Sequence, residues 1–132
     1  MTLRVKDIMT TPVLTVREEW SADQAADMLA RYGFTLLPVV DEQDRLLGVV
    51  DESDLLEDPF SGRRGARPHT VGTLMNADVV RISPDTSVGV LEHRMSSSGL
   101  RAMPVVEHGQ LVGVVTRRDL LRAGRHHHLR PA

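Results

Sequence analysis

The chain has 132 residues, 41% of them hydrophobic and 26% charged, which is the size and composition of one soluble globular domain. The net charge of -2 and the few aromatics (one Trp, one Tyr and two Phe) argue against a nucleic-acid partner, and the absence of Cys excludes disulfides and thiolate chemistry. The chain shows neither a secretory signal nor an apolar run near the ~20 residues of a membrane helix, so we expect a cytoplasmic protein with no membrane partner.

The first predicted elements are a short strand and a helix. Val13–Val16 is a β-prone segment. Ser21 is suited to cap the helix that follows, because Gln24 completes a capping box three residues later. Gly33 is placed to end this helix, since glycine readily adopts the left-handed conformation of a C-cap.

The next predicted elements are two apolar strands and a further helix. Leu36–Val40 and Leu46–Val50 are joined by the polar loop Asp41–Arg45, a pattern typical of a β-hairpin. The strands are apolar at nearly every position rather than at alternate ones, which predicts burial on both faces beneath covering helices. The final helix of this half is expected to begin at Asp51 or Ser53.

A linker separates this half of the chain from a second one. Residues 57–70 (EDPFSGRRGARPHT) are rich in Pro, Gly and Arg, as is typical of a linker. We interpret its arginines as a solvated face, with contact to a protein partner or to a phosphate as the alternative; they are Arg63, Arg64 and Arg67.

The second half has the same order of predicted elements. A β-prone segment, Val79–Ile82, precedes a helix capped by Ser87. Met103–Val106 and Leu111–Val115 form the second hairpin, and the last helix begins at Thr116. Residues 122–132 are expected to be a frayed tail, and adjacent histidines on such a tail (126–128) lack the fixed outer shell of a metal site, so no metal is predicted there.

The two halves are near-repeats of each other. Gly33–Val40 (GFTLLPVV) recurs 66 positions later as Gly99–Val106 (GLRAMPVV). Leu46–Leu56 (LLGVVDESDLL) recurs 65 positions later as Leu111–Leu121 (LVGVVTRRDLL). Such a period is too long for a solenoid unit and too short for two independent domains, so it indicates one domain of two similar halves with a ligand cleft between them.

The β-α-β-β-α unit, present twice, resembles a tandem pair of cystathionine-β-synthase (CBS) domains. The strongest signature is an apolar strand followed by Gly-Val-Val-Thr-x-x-Asp-Leu-Leu, here Gly113–Leu121, and the second is Leu-Pro-Val-Val, here Leu37–Val40. The resemblance covers repeats at 5–56 and 71–121 of a single module, 1–132.

The resemblance implies an α+β fold in which the two repeats pack with pseudo-twofold symmetry. It implies a free-standing regulatory module, with no catalytic residues and no required cofactor. The ligand would be an adenosine-containing molecule: AMP, ADP, ATP or S-adenosylmethionine. The implied protein partners are a second copy of the chain, as a homodimer, and a regulated protein.

The resemblance also implies two ligand sites, here called site A and site B. In the family the Asp of the Gly-x-x-Thr-x-x-Asp motif holds the ribose hydroxyls, the Thr lies near the phosphate, and the other repeat supplies the opposite wall. Arg101 is suited to a phosphate because its guanidinium is a forked cationic donor. Carried over by position, site A combines Asp7, Thr10, Pro12, Val13, Phe34, Arg101, Thr116 and Asp119.

Site B has the same scaffold and a different charge. Its residues are Asp51, Ser53, Asp54, Thr73, Asn76, Asp78, Val79 and Leu100. Asp51 replaces the motif Thr, Asp78 replaces Pro12, and Thr35 replaces Arg101. Each close contact between a carboxylate and a phosphate would cost on the order of 1 kcal/mol or more, so we favour site A for a phosphorylated nucleotide. For site B three alternatives stay open: no ligand, a neutral adenosyl group, or a metal.

Purely structural roles compete with these assignments. Thr116 and Asp119 also form a capping box, as do Asp51 and Asp54. Phe34 also fits the core. The main alternative function is a dimerisation or protein-interaction module without a small ligand. An enzyme is not favoured, because no phosphate loop and no Ser-His-Asp grouping is present.

Overall fold

The computed structural model describes residues 2–56 and 69–128, and the side chains of residues 2–55 and 69–124 within them. The elements are α1 (Val5–Ile8), α2 (Ala22–Tyr32), β1 (Leu36–Val40), β2 (Leu46–Asp51), α3 (Glu52–Leu56), α4 (Val71–Leu74), α5 (Val88–Ser98), β3 (Ala102–Glu107), β4 (Gln110–Thr116) and α6 (Arg117–His128). The strands of these ranges form two sheets, β1–β2 and β3–β4, which confirms the predicted α+β class. Across the same ranges, no helix is long and apolar enough to cross a membrane.

The chain divides into two compact units that do not coincide with the two repeats. Unit 1 joins Met1–Val13 to Val80–Ala132, and unit 2 is Leu14–Val79. The leading segment of the first repeat therefore belongs to the unit that holds the second repeat's hairpin. In unit 1, α1 carries the fully buried Val5, whose amide donates to Thr86 O at 2.8 Å. In unit 2, α4 carries the fully buried Val71, whose amide donates to Trp20 O at 2.7 Å.

Unit 2 is built around the β1–β2 hairpin. The strands are antiparallel, with Leu37 opposite Val50, and the register shifts between Val39 and Val40. Val16 makes a parallel bridge to Val39 and so adds one residue of a third strand. The apolar face of α2 covers these residues, and burial of such side chains is the main favourable term in folding. The buried core of unit 2 consists of Val16, Ala22, Ala25, Leu29, Leu37, Val39, Val50, Leu55 and Val71.

Unit 1 repeats this construction around the β3–β4 hairpin. Met103 lies opposite Val115, and the register shifts between Val105 and Val106. Ile82 makes the parallel bridge to Val105 that Val16 makes in unit 2. The buried core of unit 1 consists of Val5, Ile82, Leu91, Met95, Met103, Val105 and Val115.

The ends of α2 and α5 agree with the sequence prediction. The Ser21 hydroxyl accepts from Gln24 N, and the Gln24 side chain accepts from Ser21 N, so α2 begins with the predicted capping box. The Ser87 hydroxyl likewise accepts from Val90 N at the start of α5. Gly33 and Gly99 end the helices with φ of 69° and 72°, a left-handed conformation that costs glycine little.

Several expectations about the smaller elements were wrong. The short strands predicted at Val13–Val16 and Val79–Ile82 are reduced to the single bridges at Val16 and Ile82, because the other residues make no ladder hydrogen bonds. The last helices begin at Glu52 and Arg117, one residue after the caps Asp51 and Thr116.

The tail and the linker had different outcomes. The tail predicted to be frayed is helical as far as His128, as a continuation of α6, whose Ala123 is buried. Residues 57–68 of the predicted linker, with Arg63, Arg64 and Arg67, lie outside the described residues, as do the side chains of His126–His128.

Candidate functional site

The start of α6 holds a buried carboxylate. Thr116 N donates to Asp119 Oδ2 at 2.9 Å, and Asp119 N donates to Thr116 Oγ1 at 3.1 Å, which is a reciprocal capping box. Asp119 is only 6% exposed and is the one buried charged residue of the described part of the chain. Burying a carboxylate costs free energy unless hydrogen bonds satisfy its oxygens, so the groups around Asp119 must supply those hydrogen bonds.

Thr10 brings the leading segment to this carboxylate. Its hydroxyl lies 3.3 Å from Asp119 Oδ1 and 3.4 Å from Oδ2, so it donates a long hydrogen bond that the two carboxylate oxygens share. Its backbone is fixed by two hydrogen bonds to Val114, at 2.8 and 3.1 Å. Glycine at 113 allows this close approach, since a Cβ there would lie 3.1 Å from Thr10 O and 2.6 Å from the sulfur of Met9. We call Thr10, Thr116 and Asp119 the Asp119 cluster.

The other residues predicted for site A are placed less closely. Asp7 caps α1, accepting from Arg4 N at 2.7 Å, and is exposed. Pro12 follows a cis peptide bond and is exposed, while Val13 is half-buried. Phe34 belongs to unit 2, where its ring stacks on Tyr32 with the centroids 6.1 Å apart. The assignment of these four residues to a ligand stays a prediction.

Arg101 lies on the segment that leads into β3, and its side chain is exposed. Sequence reasoning missed the residue that touches this segment, Arg117. Its Nε donates to Leu100 O at 2.9 Å and its amide donates to Arg101 O at 3.0 Å. The available signal was an arginine directly after the motif Thr116, but sequence does not reveal which backbone carbonyl such a side chain reaches.

Unit 2 holds the corresponding group, Asp51, Ser53 and Asp54, which we call the Asp54 cluster. Asp51 N donates to Asp54 Oδ2 at 2.9 Å, and Asp54 N donates to Asp51 Oδ1 at 3.0 Å. The Ser53 hydroxyl donates to Asp51 Oδ1 at 2.7 Å. Partial burial raises the pKa of Asp51, but the hydrogen bonds from Ser53 and Asp54 outweigh it and leave this pKa below the ordinary value of 3.8.

The segment beside the Asp54 cluster repeats the backbone hydrogen bonds that Thr10 makes in unit 1, but not its side-chain contact. Asn76 exchanges two hydrogen bonds with Val49, at 3.0 and 2.8 Å, as Thr10 does with Val114. The Asn76 side chain, however, turns locally and accepts from Asp78 N at 3.0 Å. The Thr73 hydroxyl donates to Thr70 O at 2.7 Å.

Two predicted site B residues have less specific environments. Val79 is half-buried, and Leu100 belongs to unit 1, where it packs against that unit's core. The roles of the site B residues in binding a ligand stay predictions.

The two clusters differ in charge at matching positions. Unit 1 has Thr116 and Arg117 before its buried aspartate, where unit 2 has Asp51 and Glu52. A helix N-terminus favours an anion through its unpaired amides and its dipole. In unit 2 the side chains already supply negative charge there, whereas in unit 1 the start of α6 carries a cation.

Comparisons with known proteins agree on one family. The family model of the CBS domain matches residues 5–59 and 71–126. The chain is 33% identical over 117 residues to the CBS domain-containing protein YhcV of Bacillus subtilis, covering 88% of this chain and 81% of that protein. It is 34% identical over 121 residues to the A-adding tRNA nucleotidyltransferase of Aquifex aeolicus, but spans only 14% of that enzyme's length.

Solved structures share the fold over nearly the whole chain. The structure of CBSX2 in complex with AMP is similar with a TM-score of 0.84 and 30% identity, covering 95% of this chain and 98% of that one. The CBS domain pair of protein MJ0100, in complex with 5'-methylthioadenosine and S-adenosyl-L-methionine, is similar with a TM-score of 0.82 and 26% identity, covering 96% and 99%.

Proposed function

The chain belongs to the CBS-domain family, and on that premise we propose that it is a regulatory module that binds an adenosine-containing ligand at the Asp119 cluster. The ligand class comprises AMP, ADP, ATP and S-adenosylmethionine. The module's role is to bind and signal to a regulated protein, with no covalent step assigned to its residues. Two similar structures hold ligands of this class, AMP in CBSX2 and S-adenosyl-L-methionine in MJ0100, which supports the proposal.

The observation that carries the proposal is the buried, pre-oriented carboxylate of Asp119. Thr116 N and the Thr10 hydroxyl hold it in one orientation. An ionised carboxylate has about four lone-pair positions, so it can still accept from the two hydroxyls of a ribose cis-diol. Hydrogen bonds to an ionised group are about twice as strong as neutral ones, which makes this carboxylate an effective ribose anchor.

The Asp119 cluster fits a phosphorylated ligand better than the Asp54 cluster does. Asp51 stands where Thr116 stands in unit 1, and its lowered pKa keeps it ionised at neutral pH. A phosphate beside it would meet a second negative charge within a few ångströms. We therefore place the nucleotide at unit 1 and expect one nucleotide per chain.

A second candidate function is a homodimerisation or protein-interaction module without a small ligand. Exposed apolar side chains in unit 1 favour it: Leu121 on α6 is 68% exposed, and Val90 on α5 and Val80 are also exposed. Sedimentation velocity with and without nucleotide distinguishes the two functions. A dimer whose association is independent of every adenosyl compound, in a chain that binds none of them, would favour this second function.

Isothermal titration calorimetry of the full chain with AMP, ATP, adenosine and S-adenosylmethionine tests the proposed function. We expect saturable binding of at least one of them, with one site per chain. The bound ligand should also raise the free energy of unfolding, by about 2.7 kcal/mol at a hundredfold excess over its Kd. Neither heat nor a thermal shift from any of the four compounds would overturn the proposal.

A further inference from the structure

Arg117 ties the start of α6 to the segment that precedes β3. Its Nε donates to Leu100 O at 2.9 Å, and its backbone amide donates to Arg101 O at 3.0 Å. A single residue thus contacts two successive carbonyls. The segment is also held by the Leu100 side chain, which packs against the core of unit 1, by a long hydrogen bond of 3.4 Å from Leu100 N to Ser98 Oγ, and by the pairing of Ala102 with Thr116 where β3 begins. The Arg117 side chain therefore adds a constraint to the backbone from which the Arg101 side chain projects.

Two guanidinium groups are available at this place. The Arg101 side chain is exposed and has neither a hydrogen-bond nor an ion-pair partner among the side chains described, those of residues 2–55 and 69–124. The Arg117 guanidinium uses Nε for Leu100 O, and within the same ranges its two terminal amino groups have no partner. An arginine fork presents such donors in a fixed plane that matches phosphate oxygens.

Unit 2 lacks both features at the matching positions. Glu52 stands where Arg117 stands in unit 1, and Thr35 stands where Arg101 stands. An ionised glutamate side chain has no hydrogen-bond donor, so the side-chain bond to a carbonyl is absent, and neither residue carries a positive charge. Arg117 and Arg101 therefore add positive charge to unit 1 at two positions where unit 2 has none.

We propose that Arg117 is a positioning residue that fixes Arg101, and that the two together make this site select ligands that carry a phosphate. The inference rests on the proposed function and names its ligand class: adenine nucleotides, in preference to uncharged adenosine and to S-adenosylmethionine, whose sulfonium centre is cationic. Because a guanidinium pair attracts negative charge, affinity rises with phosphate number from adenosine through AMP to ATP.

A double-mutant cycle tests the positioning role. Calorimetry measures the Kd of AMP and of adenosine for the wild type, Arg117→Gln, Arg101→Gln and the double variant. We expect Arg117→Gln to weaken AMP about tenfold, as for one hydrogen bond to a charged group, and to leave adenosine within about twofold. In the Arg101→Gln background the same change should weaken AMP less than it does in the wild type, since Arg117 then has no Arg101 to position and only the direct attraction between its own charge and the phosphate is lost.

Two further variants separate fold, charge and geometry. Arg122→Gln removes a positive charge from the exposed side of the same helix and should leave the AMP affinity within about twofold. Arg117→Lys keeps the charge and loses the Nε fork, so we expect an AMP affinity between those of the wild type and Arg117→Gln. Thermal melts confirm that each variant is folded.

Each failure has a distinct meaning. Equal loss of AMP and adenosine in Arg117→Gln, or an undiminished effect in the Arg101→Gln background, would overturn the positioning role. Equal wild-type affinity for AMP, adenosine and S-adenosylmethionine would overturn phosphate selection while leaving the proposed function intact. A wild-type chain that binds none of the three overturns the proposed function itself.

Discussion

Replacing Asp119 by alanine affects both helix capping and ligand binding, and the two effects have different sizes. The substitution removes the acceptor of Thr116 N, a hydrogen bond of 2.9 Å, while Thr116 Oγ1 can still accept from the amide at position 119. Loss of one such cap contact costs about 1 kcal/mol. For a domain of this size that lowers Tm by about 4 °C, so the variant should remain folded at room temperature.

The expected loss of binding is larger. In the proposed complex a ribose diol would donate two hydrogen bonds to the Asp119 carboxylate, and each hydrogen bond to a charged group contributes about 1.5–3 kcal/mol. Losing both costs about 3 kcal/mol or more, and each 1.4 kcal/mol is a factor of ten in Kd. We therefore expect Asp119→Ala to weaken AMP at least about 100-fold in calorimetric titration.

Asp54→Ala is the matched comparison, because it removes the same kind of cap contact in unit 2, the bond of 2.9 Å from Asp51 N. We expect a similar or smaller loss of stability and an AMP affinity within about threefold of the wild type. If Asp119→Ala bound AMP as the wild type does, Asp119 would be a structural cap alone. If Asp54→Ala abolished binding, the nucleotide would belong to unit 2, and the charge argument would be refuted.

Three further predictions concern stability and are measured by urea denaturation. Gly48→Ala should destabilise by about 1–3 kcal/mol, because a Cβ there would lie 2.7 Å from Asn76 O; an unchanged midpoint would contradict this. Gly89→Ala, in α5 with nothing within 4 Å of its Cβ, should stabilise by up to about 1 kcal/mol, and any loss of stability would count against it. Folding lowers the pKa of Asp51 below 3.8, so its contribution is present above that pH and is lost as the pH falls through the lower folded pKa. Asp51→Ala should therefore weaken the dependence of stability on pH below about 4, and identical pH profiles for the two proteins would refute this.

The elements that were predictable from the sequence are those with local signals. The capping box of Ser21 and Gln24 and the C-cap at Gly33 each depend on residues only a few positions apart. The sequence alone therefore predicts both ends of this helix. The two hairpins could be predicted because in each of them apolar runs flank a polar turn. By contrast, α1 and α4 have four residues each, which is too short for a helical period to appear.

The candidate site required information that is not local. Thr10 and Asp119 are 109 positions apart, and their contact depends on the leading segment joining unit 1. Family resemblance suggested both residues, but the shared donor geometry is a property of the folded chain. Arg117 was missed because its partner is a backbone carbonyl. Every residue type has such a carbonyl, so the sequence does not show which one an arginine will contact.

A crystal structure of the chain grown with AMP tests the central claim most directly. We predict the ribose hydroxyls within hydrogen-bond distance of Asp119 Oδ1 and Oδ2, with the phosphate near the start of α6 and the Arg101 and Arg117 guanidinium groups. AMP bound instead at the Asp54 cluster, or an Asp119 carboxylate that makes only its contacts to Thr10 and Thr116 at saturating AMP, would contradict it.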